Sequence, residues 1–100
     1  MPQRQKLQPV HPGELLRDEL EEIGVSLNEL ERALRVPMNR ISALVNGKRS
    51  ITADTAMRLA RYFGTSPQYW INLQGAYDLE VADIKIGAKI EREVLPRDAA

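Results

Sequence analysis

Residues 26–49 read SLNELERALRVPMNRISALVNGKR, and this stretch decides the fold. Leu27, Leu30 and Leu34 recur at intervals of three and four, as do Ile41, Leu44 and Val45, so each half of the stretch carries one apolar helical face. Ser26 and Glu29 have the spacing of a capping box, which opens the first helix. Pro37 has a preset φ and lacks an N–H that a first helical turn would leave unpaired, so the pattern predicts that it opens the second helix. Asn46 and Gly47 tolerate a left-handed backbone and close it. Two helices around a turn at Arg35-Val36-Pro37 therefore occupy residues 26–46. Asn39, Arg40, Ala43 and Asn46 fall away from the apolar stripe, available to a partner.

Working outward, Leu15, Leu16, Leu20 and Ile23 form the apolar stripe of a preceding helix that stops at Gly24. Its outer surface holds Glu14, Asp18, Glu19, Glu21 and Glu22, a solvated face that would repel DNA and attract a basic protein. On the other side, Thr52 caps a fourth helix with Ala56, Leu59, Ala60 and Phe63 inward and Gly64 as its stop. Ser66 before Pro67 opens a fifth, on which Tyr69, Trp70, Leu73, Ala76 and Tyr77 make a broad apolar-aromatic face. The expectation is core for Trp70 and shared core and dimer contact for Tyr69, Leu73 and Tyr77. Beyond Asp78 the pattern is ambiguous: Ile84, Ile86, Ala88 and Ile90 alternate like a strand, whereas Ile86, Ile90 and Val94 fit a helix. Pro96 ends any regular element, and residues 1–10 read as a loose arm.

A chain of 100 residues suits one small core. Its formal net charge is zero, but the charges are divided along the chain. Residues 1–25 carry net −2, residues 26–63 net +4 and residues 64–100 net −2, so the positive excess coincides with the two-helix motif and the helix after it. Cysteine is absent and His11 is the only histidine, which argues against metal ligation, cofactor chemistry and nucleophilic catalysis. Ser26 and Ser66 read as helix caps, and no set of residues suggests an enzyme. With neither an apolar leader nor a membrane span, the expected location is the cytoplasm.

The residues resemble the Xre-type helix-turn-helix family and, within it, the HigA-type antitoxins of the virulence-associated protein I group. The resemblance is carried by HPGELLRDEL (11–20), VNGKRSITADTAMRLARYFGTSPQYWINLQ (45–74) and YDLEVA (77–82). It implies an all-α, five-helix, lambda-repressor-like domain over residues 11–80, with an extension at 81–100 available for dimer contact. It also implies a homodimer that represses its own operon by binding double-stranded operator DNA, and that neutralises a small basic HigB-like, RelE-type ribonuclease toxin. By family position, Met38, Asn39, Arg40 and Ala43 fall where bases are read, and Lys48 and Arg49 where phosphate is met. Chemistry agrees, since Arg grips guanine, Asn grips adenine, and Lys or Arg meets phosphate.

The chain departs from the family pattern at Glu31, where Ala is usual, and at Arg35, where Gly is usual. Their i,i+4 spacing predicts an ion pair, in a turn tilted by two large side chains. Two other readings share most of these features: a regulator with no toxin partner, and a toxin-binding inhibitor whose acidic first helix matters more than DNA.

Overall fold

Left-handed residues end four of the helices and so set the plan of the molecule. The computed structural model describes residues 8–98; most of the expected N-terminal arm and the last two residues lie outside that range. Among the described residues every regular element is helical, which removes the strand reading of the tail.

Helix α1 (Pro12–Ile23) opens on His11, whose Nδ1 accepts a bond from the Gly13 amide. Helix α2 (Leu27–Leu34) has the expected capping box, with Ser26 Oγ accepting from the Glu29 amide and Glu29 Oε1 from the Ser26 amide. Helix α3 (Arg40–Val45) starts three residues later than the sequence predicts, because Pro37 belongs to the turn and the Arg40 amide donates back to its carbonyl. Helices α4 (Ala53–Phe63) and α5 (Pro67–Ala82) open on Thr52 and Ser66 as expected.

Helices α1, α2, α3 and α4 each end with an amide two or three residues beyond the helix reaching back to a carbonyl five residues earlier: Val25 to Leu20, Val36 to Glu31, Lys48 to Ala43 and Thr65 to Ala60. This C-terminal motif requires one left-handed residue. Gly24, Gly47 and Gly64 supply it at φ 75°, but after α2 the residue is Arg35, at φ 60°. Asn46 keeps a negative φ, so Gly47 alone turns the chain after α3.

The core is built from Leu16 and Leu20 of α1, Leu30 and Leu34 of α2, Ile41, Leu44 and Val45 of α3, Ile51, and Ala56, Leu59 and Ala60 of α4, closed by Trp70 of α5. Helix α1 crosses α3 so closely at Gly13 that a Cβ there would overlap the Leu44 carbonyl. The expected inward stripe of α1 is narrower than its apolar residues suggest. Leu16 and Leu20 are buried, whereas Leu15 and Ile23 flank the contact and are exposed.

Helix α5 runs without a break into a π-helical segment (Asp83–Gly87) and α6 (Ala88–Glu93), with right-handed helical backbone at both junctions. Only its first half meets the core, at Trp70 and Gln74. The remainder extends the molecule to 54 Å in its longest dimension, and its last helical residue is Glu93, short of Pro96.

Candidate nucleic-acid interface

Helix α3 is only six residues long, too short to be stable by itself. Its apolar side is fixed in the core, and three side chains from other helices hold the rest. At its start, the Glu31 carboxylate from α2 accepts bonds from the Ile41 amide at 3.0 Å and the Ser42 amide at 3.2 Å. The expected Glu31–Arg35 pair is therefore not formed. Glu31 is only 5% exposed and points into the core side of the motif, toward amides that would otherwise be buried without partners. A carboxylate at this end also opposes the positive end of the helix dipole. Because Glu31 uses these two amides, the start of α3 cannot offer them to a phosphate.

At the other end of α3, Arg17 from α1 donates through Nη2 to Asn46 Oδ1 at 2.9 Å and to the Val45 carbonyl at 3.4 Å. The third tie is on the outward face. Arg40 Nη1 donates to Asp54 Oδ1 of α4 at 2.8 Å, and Arg58 Nε donates to the same oxygen at 2.7 Å. These bonds, Arg58 first and Arg40 second, hold the Asp54 carboxyl below its ordinary value of 3.8. Arg58 Nη1 in turn donates to the Leu34 carbonyl at the end of α2.

The residues singled out from sequence lie as follows. Met38 and Asn39 are exposed in the turn before α3, Arg40 and Ala43 are half-buried on α3, and Asn46, Lys48 and Arg49 are exposed after it. Asn39, Ala43 and Asn46 share one face with Arg40 by helical spacing. Asn46 is tied to Arg17. Lys48 and Arg49 ride on a loop whose far end is pinned by the buried Gln74, with Oε1 accepting from the Ile51 amide at 2.9 Å. On α5, Trp70 is buried and its indole Nε1–H donates to Thr65 Oγ1. Leu73 and Tyr77 are half-buried, Tyr77 edge-on against His11, while Tyr69 and Ala76 are exposed. The broad apolar face expected on α5 is thus divided, because α1 and α4 reach only part of it.

Sequence reading missed Glu31, Arg17, Asp54 and Gln74 as supports. Only Glu31 carried a signal, as a large acid where the pattern usually has alanine.

The sequence profile of the family described as Helix-turn-helix matches residues 16–70. The chain belongs to the Xre-type helix-turn-helix family. Family members similar to it include virulence-associated protein I of Dichelobacter nodosus, 48% identical over 81 residues that cover 80% of this chain and 75% of the relative. HigA antitoxins are among its close structural neighbours. A HigA-family addiction module antidote protein from Coxiella burnetii superposes with a TM-score of 0.88 at 53% identity, covering 91% of this chain and 100% of the other. The Pseudomonas aeruginosa antitoxin HigA, solved with the higBA promoter, superposes at 0.85 with 48% identity, covering 89% and 98%. None of the helices among the described residues is long and apolar enough to cross a membrane.

Proposed function

We propose that this chain is an operator-binding repressor that also acts as the antitoxin of a toxin–antitoxin pair. The observation that carries the DNA-binding half is the mounting of α3: a six-residue helix held from both ends, with Asn39, Arg40 and Ala43 outward and Lys48 and Arg49 just beyond. A helix so fixed fits the major groove, with the loop cations placed for backbone phosphates. The Pseudomonas neighbour solved with its promoter supports the same reading. The test is a fluorescence-anisotropy titration of the purified protein against its own upstream DNA and a scrambled duplex at two salt concentrations. Selective, salt-sensitive binding is expected; equal binding to both duplexes would exclude operator reading.

The antitoxin half rests on α1, whose Glu14, Asp18, Glu19, Glu21 and Glu22 are all exposed. Such a face suits a basic RelE-like ribonuclease. Reversing Glu21 and Glu22 to Lys should weaken toxin capture; unchanged affinity would remove this face. A gene for a small basic protein beside this one separates the antitoxin from a regulator without a toxin partner.

A further inference from the structure

We propose that Asp54 is a specificity-determining residue, which orients the Arg40 guanidinium toward one base pair and restrains both Arg40 and Arg58 from indiscriminate phosphate contact. The inference rests on the DNA-reading function proposed above. A continuous chain of bonds runs from the Leu34 carbonyl through Arg58 to Asp54 Oδ1 and on to Arg40 Nη1, so the position of Arg40 is referred to the ends of α2 and α4. The network does little for stability, because Asp54 is 56% and Arg58 41% exposed and such pairs are screened by solvent. Its effect is on direction. Arg40, with its side chain only 21% exposed, is held through Nη1, which leaves the Nε and Nη2 donors as a fork for a base edge. Bidentate reading of guanine depends on the plane in which that fork lies, so the anchor selects the base pair that is met. The carboxylate also offsets two cations at the surface that would approach the duplex, which weakens binding to any sequence and raises the ratio of specific to non-specific affinity.

The experiment is selection from a randomised duplex library by the wild-type protein and by Asp54→Ala, Asp54→Asn, Arg40→Ala and the Arg40→Ala/Asp54→Ala double variant. Scrambled-duplex affinity is measured beside it, and folding is checked by thermal melting. The wild type should enrich one base at a position that Arg40→Ala leaves random. Asp54→Ala should lose about tenfold in preference at that same position and add nothing further in the double variant; Asp54→Asn, which keeps an uncharged acceptor, should lose a smaller part of the preference, and both variants should bind scrambled DNA several-fold more tightly. Asp54→Asn keeps the shape of the side chain, so it decides the matter if Asp54→Ala unfolds. If the Asp54 variants select the wild-type motif with wild-type strength, the inference fails while DNA reading stands. If the wild type enriches no sequence, DNA reading fails and the inference falls with it.

Discussion

At the scale of single residues, the departure from the family pattern at Arg35 carries backbone strain. Arg35 occupies a left-handed position that glycine fills after α1, α3 and α4. A non-glycine residue there costs roughly 1–2 kcal/mol, so Arg35→Gly should stabilise the protein by about 0.5–1 kcal/mol once the added freedom of the unfolded chain is subtracted. Chemical denaturation measures this, and an unchanged midpoint would mean that the arginine side chain offsets the strain. Two exposed carboxyls make a small, solvent-screened contribution to acid stability. Glu29 is held below its ordinary value of 4.5, first by the Ser26 amide and then by its hydroxyl, and Asp54 is held below 3.8 by Arg58 and Arg40. Both pKa values are depressed by folding, so on acidification the unfolded chain takes up these protons first. Their contribution is complete above the ordinary values and is lost as pH falls through the depressed ones. The melting temperature of the Glu29→Gln/Asp54→Asn variant should therefore fall less steeply with acid than that of the wild type; parallel acid limbs would contradict this.

At the scale of elements, α3 shows how a helix too short to stand alone is built from its neighbours. Its start is fixed by an α2 side chain, which explains why the helix begins at Arg40 and not at the proline. Removing that cap by Glu31→Ala should cost about 1–3 kcal/mol, because one buried and one part-buried amide lose their carboxylate acceptor. Glu31→Gln retains an acceptor and should cost less than half as much. Thermal melting and operator titration together check the prediction: if α3 is positioned by this bond, affinity falls in the same order as stability. Equal melting of wild type and Glu31→Ala would show that the turn and core position α3 without it.

At the scale of the whole molecule, the uneven feature is the rod formed by α5, the π-helical segment and α6. Its outer half exposes Leu79, Ile84, Ile86 and Ile90, with Val94 and Leu95 just beyond. Burying such residues against a second copy would give a two-fold dimer with two α3 helices, suited to half-sites about 34–36 Å apart. The combined Ile84→Glu and Ile90→Glu variant should sediment as a monomer, keep its helical content and bind a single half-site with reduced salt dependence. A wild type that sediments as a monomer would contradict the dimer, and a variant that still dimerises would place the interface elsewhere.

The helices and their limits were largely legible in the chain, because caps at Ser26, Thr52 and Ser66 and left-handed stops at Gly24, Gly47 and Gly64 act over a few residues. Outward positions on α3 were legible for the same reason, since helical spacing alone separates Asn39, Arg40 and Ala43 from Ile41, Leu44 and Val45. The supports of that helix were not. Glu31 and the Ile41 amide are ten residues apart, Arg40 and Asp54 fourteen, Ile51 and Gln74 twenty-three, and Arg17 and Asn46 twenty-nine. Local pairing rules assigned Glu31 to Arg35 because they act within one helix. The tail was ambiguous because its isoleucines fit two periods. Local backbone chemistry thus determined where the helices start and stop, while only the packed core decided which polar side chain reaches which amide or guanidinium, because those partners meet only after α1, α2, α4 and α5 have closed around α3 and the loop beyond it.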